Sequence, residues 1–154
     1  FQSAQYREVE FILGYKRPEI LRAFPAGSAA LGRLESRLKA RSVIDHFFAF
    51  LALRGVAIRE EIRRRDVKLG AIPDTKIQEG IFQLYKSQPD VAILLELMTD
   101  FDEGQQEWRY RHVKLTERTI GNKIGTGGSS GVDFLKGTLF KSFFPDLWAI
   151  RHPF

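Results

Sequence analysis

The chain has no cysteine and only one methionine among its 154 residues. Without thiols there is no disulfide framework, no thiolate metal site and no cysteine nucleophile, which suits a reducing cytoplasm as the expected location. Long apolar runs are missing as well: nothing approaches the ~20 uninterrupted apolar residues of a membrane span, so no membrane partner is expected. There is no strand-like alternation, internal repeat or low-complexity tract. The N-terminus, Phe1-Gln2-Ser3-Ala4-Gln5, carries neither an initiator Met nor a basic-then-apolar signal. Because it starts directly inside what reads as a helix, further sequence is expected upstream.

Histidine is scarce too, with His46, His112 and His152 the only three. A zinc site needs three or four nitrogen or sulfur ligands at recognisable spacing, and this supply does not offer them. Acidic pairs such as Asp100 and Asp102 lack the alternating ligands and closing bidentate Glu of a calcium loop. No nucleophile–base pair can be argued from the order of residues, and no carboxylate is placed distinctively for acid–base work. No catalytic residue is therefore assignable from this chain.

What is present describes a globular protein. Hydrophobic residues make up 44% and charged residues 28%, and the length fits one domain, expected over residues 1–154. The 13 phenylalanines either fill a core or line a flat apolar ligand, the first being commoner. A net charge of +5 raises the question of nucleic acid. The densest basic cluster is Arg59, Arg63, Arg64, Arg65 and Lys68, but Glu60, Glu61 and Asp66 interrupt it. It reads as a solvated helix face, and nucleic acid is not expected as a partner.

Nearly every segment reads as helix. Tyr6, Val9, Ile12 and Leu13 form one apolar stripe, which Gly14 is placed to end. Pro18 starts a short helix carrying Ile20, Leu21 and Phe24, since proline in a first turn sacrifices no needed donor. Leu31, Leu34 and Leu38 mark a third helix. Ser42 with Asp45 is an acidic variant of the capping box, leading into Ile44, Phe47, Phe48 and Leu51 before Gly55. A linker around Gly70 and Pro73 precedes a helix with Ile77, Ile81, Phe82 and Tyr85. From 89 to 121 the pattern hardly breaks, and Gly104 inside it marks a candidate bend. A last helix carries Val132, Phe134, Leu135 and Leu139, before a terminal Phe143-Phe144-Pro145-Asp146-Leu147-Trp148 segment. The class is all-α, built around one long helix whose length hints at contacts beyond its own core.

Two features could carry chemistry. His112 shares a helical stripe with Trp108, Leu115 and Thr119. A single imidazole on such a stripe suits a flat apolar cofactor, although a buried structural histidine is the commoner case. If it binds metal, one axial bond to haem is the economical arrangement, because the porphyrin supplies four ligands itself. The second feature is Gly125-Thr126-Gly127-Gly128-Ser129-Ser130-Gly131. Its glycines let backbone N–H groups approach an anion, and the following helix start adds a favourable dipole. It is no phosphate loop, since the Gly-Lys-Ser/Thr ending and the preceding strand are absent. A small zwitterion fits it, and so does a plain flexible connection.

These residues together resemble the tryptophan 2,3-dioxygenase family. The resemblance rests on Trp108-Arg109-Tyr110-Arg111-His112, then Arg118, Ile120-Gly121 and Lys123, with Thr126 of the glycine-rich loop fourteen residues after His112. Phe1-Gln2-Ser3, Gln5-Tyr6-Arg7 and Glu10-Phe11 extend it to the start, and Phe143-Phe144-Pro145-Asp146-Leu147 to the end. The resemblance spans essentially the whole chain. It implies a helical, homotetrameric, cytoplasmic enzyme with one haem b per subunit, Fe(II) in the active form. That enzyme would insert O2 across the indole C2–C3 bond of L-tryptophan to give N-formylkynurenine, in tryptophan catabolism by the kynurenine pathway; a different indole oxidation is the alternative. By the same resemblance, His112 would be the axial metal ligand, with Trp108, Arg109 and, more weakly, Arg7 as cofactor contacts. Thr126, Gly125 and Gly127 would hold the substrate's ammonium and carboxylate. The distal histidine and the carboxylate-pairing arginine of the family lie upstream of the Phe-Gln-Ser motif, so neither is expected within this chain.

Overall fold

The computed structural model of the chain describes residues 3–121 and 132–151. Among them there are helices and turns and no strand, as the apolar spacing requires. The helices are α1 (Ala4–Leu13), α2 (Ala29–Lys39), α3 (Val43–Leu53), α4 (Glu60–Arg63), α5 (Thr75–Ser87), α6 (Pro89–Ile120), α7 (Val132–Lys136) and α8 (Pro145–Ala149). A 3-10 segment, Pro18–Ala23, links α1 to α2.

Three of the helices, α1, α2 and α5, begin where a side chain satisfies a free N–H group of the first turn. Ser3, Ser28 and Asp74 accept from Tyr6, Leu31 and Ile77 respectively. Gly14 ends α1 at φ +114°, a conformation open to glycine at little cost. Any side chain there would also collide with α3, because an added Cβ would lie 2.5 Å from Ile44 Cγ2. Gly80 permits a similar approach on α5, where an added Cβ would meet Val56 Cγ1 at 2.4 Å.

The main core lies between α3, α5, the first turns of α6 and the C-terminal segment. Phe47, Phe48 and Leu51 meet Ile77, Ile81, Val91, Leu95, Phe143 and Leu147 there. Fully burying a side chain of this size contributes roughly 1.5–3 kcal/mol, so these residues anchor the fold. A smaller cluster of Phe11, Leu34 and Leu38 joins α1 to α2. The single residue Gln88 separates α5 from α6, and the two pack together. At about 1.5 Å per residue the 32 residues of α6 run for about 48 Å, unbroken through Gly104. Its outer face leaves Ile93, Leu97, Phe101, Trp108 and Leu115 exposed. No helix among the described residues is long and apolar enough to cross a membrane.

Two expectations need correction. The helix expected from Val132 to Leu139 stops at Lys136 as α7, so Leu139 lies in a turn rather than on its face. Gly137 and the Thr138 hydroxyl, which donates to the Leu135 carbonyl at 2.7 Å, favour that turn over another helical one. The basic cluster after Arg59 is not one solvated helix face either. Only Glu60–Arg63 is helical, and two of its arginines reach distant carboxylates: Arg59 pairs with Asp74, and Arg65 with Asp45 at 2.5 Å.

Asp45 gives a pH signature. Burial pushes its carboxyl up, but hydrogen bonds from the Ser42 hydroxyl and N–H and the Arg65 guanidinium outweigh it. The result lies below the ordinary 3.8. A depressed carboxyl stabilises the fold above its unfolded value, and that contribution is lost as pH falls below about 4. Asp146 works the other way, since burial raises its carboxyl and acid relieves it. Urea midpoints are therefore expected to stay level from pH 7 to 5 and to drop below 4, with a smaller drop in Asp45→Asn. An equal drop in that variant would remove Asp45 from the account.

Candidate functional site

The cavity containing His112 opens between α1 and the second half of α6, with α7 and the turn after it closing one side. Its volume is about 480 Å³, and its lining includes Tyr6, Arg7, Val9, Glu10, Trp108, Arg109, His112, Val113, Leu135 and Thr138. Helical spacing explains the α6 contribution: Trp108 and His112 are four residues apart and lie on one face. From α1, Tyr6 and Val9 face the same space, three residues apart. The walls are thus chiefly aromatic and aliphatic, and among the described lining residues the charged ones are Arg7, Glu10 and Arg109.

His112 is half-buried. Its imidazole stacks on the Trp108 indole, with ring centres 5.3 Å apart and planes within 2°. The same indole also stacks with Tyr6, at 4.7 Å and 22°. Among the described residues nothing hydrogen-bonds the imidazole nitrogens; the bond recorded at His112 is from the Thr116 hydroxyl to its backbone carbonyl. His46, by contrast, is exposed on α3, and His152 lies outside the described residues.

The two arginines are held differently. Arg109 is buried, with its guanidinium 4.7 Å above the Phe143 ring. It donates from Nε to the Tyr6 hydroxyl at 2.8 Å and from Nη1 to the Thr138 and Lys141 carbonyls. Burial raises the Tyr6 phenol above its ordinary value, and the hydrogen bond from Arg109 pulls it back in part. Arg7 pairs with Glu10 at 2.6 Å, which also takes Arg17 at 3.1 Å. Its Nε is buried with no hydrogen-bond partner among the described residues. A buried N–H of a cation without a partner is costly, so an anionic group beside Arg7 would relieve it.

The structure therefore brings His112, Trp108, Arg109 and Arg7 to one cavity. The substrate candidates Gly125, Thr126 and Gly127 lie outside the described residues. Tyr6, Glu10 and Thr138 were not singled out as site residues from the sequence. Tyr6 reads there as one member of the α1 apolar stripe, and only the placement of α1 against α6 brings it to Trp108.

As a metal centre for a bare ion the site is inadequate. No three His, Asp or Glu side chains converge among the described residues. A macrocycle that brings four nitrogens needs only one more donor. A lone half-buried imidazole, apolar walls and an unsatisfied guanidinium N–H are a donor set that fits haem with anionic edge groups.

Comparison with known proteins agrees with this chemistry. The family model described as Tryptophan 2,3-dioxygenase matches residues 75–153. A protein of Herpetosiphon aurantiacus named Tryptophan 2,3-dioxygenase is 52% identical over 151 residues, covering 98% of this chain and 57% of that protein. Proteins of the same name from Anaeromyxobacter sp. strain K and Bacillus thuringiensis subsp. konkukian are 40% and 38% identical, again over 98% of this chain. They are covered over 57% and 55% of their own lengths. The chain thus spans a little over half the length of the curated relatives it matches.

Proposed function

The chain belongs to the tryptophan 2,3-dioxygenase family, and from that we propose that the whole protein is a haem-dependent dioxygenase converting L-tryptophan and O2 to N-formylkynurenine. The observation that carries the reading is His112: a single half-buried imidazole in an apolar cavity, with no competing hydrogen bond among the described residues. Haem, when bound, supplies the activation of O2; the protein supplies binding, orientation and exclusion of water.

In this proposal His112 would hold the haem iron through its imidazole. Trp108 and Arg109 support the imidazole, and Arg7 offers its unsatisfied Nε to an anionic edge of the cofactor. Thr126 takes the substrate ammonium on its hydroxyl and the carboxylate on its backbone N–H, with Gly125 and Gly127 allowing the approach. A cytoplasmic homotetramer is proposed as the working form. The exposed large apolar residues along α6, Ile93, Leu97, Phe101 and Leu115, support assembly, since exposed apolar surface can mark interaction surfaces.

Full-length protein reconstituted with haem is expected to convert L-tryptophan under 18O2 into a product carrying both labelled atoms, read by mass spectrometry. Protein that takes up haem yet turns over no tryptophan would sink the assignment.

A further inference from the structure

A histidine that ligates a metal usually donates its second ring N–H to a carboxylate or carbonyl, which fixes the plane of the ring. His112 has no such partner among the described residues. The terminal torsion of a histidine side chain is broad and roughly two-fold, so the α6 backbone does not set the plane either. Something else must hold the imidazole within 2° of the Trp108 indole.

The indole cannot do this alone. Trp108 is 46% exposed and, by itself, free to swing towards solvent. What braces it is Tyr6, stacked on it at 4.7 Å. The Tyr6 ring is in turn tethered by its hydroxyl, which accepts from Arg109 Nε at 2.8 Å. Arg109 is buried, lies over Phe143 and donates to the Thr138 and Lys141 carbonyls. An unbroken series of contacts thus runs from the core through Arg109, Tyr6 and Trp108 to the imidazole. The geometry points to Tyr6 as a positioning residue for His112, acting through Trp108, with Arg109 as the anchor of Tyr6.

Offset-stacked rings hold one another in preferred arrangements, so a two-layer stack restricts the imidazole plane in place of the missing hydrogen bond. Tyr6 lines the same cavity, but in this account it acts on His112 through Trp108. The inference rests on the haem reading for its consequence, although the stack can be tested without haem.

In the haem-free protein, the ring protons of His112 sit over an indole face and are expected to be shifted upfield in NMR spectra, with assignment by His112→Gln. Tyr6→Leu is expected to move them back towards exposed-histidine positions while the amide spectrum keeps its dispersion. Tyr6→Phe, which keeps the ring, is expected to retain most of the shift. Tyr6→Met fills more of the volume and takes the place of Tyr6→Leu should that variant not fold. In the haem-loaded protein, Tyr6→Leu is expected to alter the iron–imidazole stretching band and to weaken haem on the order of tenfold, at the low end of such supporting contacts. Unmoved His112 ring protons in a folded Tyr6→Leu or Tyr6→Met protein overturn the inference. If the parent takes up no haem, the haem reading fails, and the ring-proton shifts still decide this one.

Discussion

Replacing His112 by alanine is expected to abolish the imidazole-ligated haem spectrum and all turnover of tryptophan, while leaving the protein folded. The loss follows from the donor count. The described residues offer no cluster of ligands that could substitute, and the other histidines are exposed on α3 or lie outside the described residues. Retention of the fold follows from the surroundings. His112 is half-buried, its ring nitrogens bind nothing among the described residues, and Trp108 beside it is exposed. Truncation therefore strands no buried donor and opens its cavity to water, so a cost of about 1 kcal/mol is expected, ordinary for a point change. Soret absorption, ferrous iron–imidazole stretching and a urea melt measure the three outcomes. Added imidazole is expected to restore part of the spectrum by entering the vacated volume. An unchanged haem spectrum in His112→Ala would make the residue structural and remove the basis of the proposed function.

How far the sequence could be read depends on the range of the interactions involved. Helix starts and the length of α6 were legible because they follow from neighbours in the chain. Pro89 and Gly121 bound the periodic stretch, and the helix runs from Pro89 to Ile120. Ser42 and Asp45 bond each other at three residues' separation. The short α7 was not legible in the same way, since the turn after it is held by Arg109, 29 and 32 residues away. Likewise the basic cluster after Arg59 looked like a charged helix face because its partners, Asp45 and Asp74, lie far off in sequence.

The site divides along the same line. Trp108 and His112 share a helix, so their pairing could be read directly from the spacing. Tyr6 reaches them from α1, more than 100 residues away, and apolar periodicity could not show which face of α1 meets α6. Arg109 was expected among the cofactor contacts. Its recorded hydrogen bonds run to Tyr6, Thr138 and Lys141, partners too distant in sequence to be read from the spacing.

Among the buried polar residues, Asp102 is the one whose loss should cost most stability. Its carboxylate is fully buried on α6 and accepts from the backbone N–H groups of Phe143 and Phe144 at 2.9 and 3.0 Å, and from the Trp148 indole N–H at 3.0 Å. One side chain thus fastens the C-terminal segment to the long helix. In Asp102→Leu both backbone donors stay buried without an acceptor, each costing about 1–3 kcal/mol, whereas the half-buried indole can turn to water. The expected loss is about 2–6 kcal/mol, a large part of the roughly 5–15 kcal/mol that holds a domain folded. At roughly 2–4 °C per kcal/mol for chains of this size, the melting temperature falls by about 10 °C. Asp102→Asn keeps the volume and one acceptor but turns an N–H towards these donors, so an intermediate loss is expected. Because Lys141 lies two residues before Phe143 and binds Arg109, Asp102→Asn should also loosen the anchor of Tyr6. Its signature would be faster amide exchange at Phe143 and Phe144 together with a reduced upfield shift of the His112 ring protons. A cost below about 1 kcal/mol for Asp102→Leu would mean that water or another group already serves those donors.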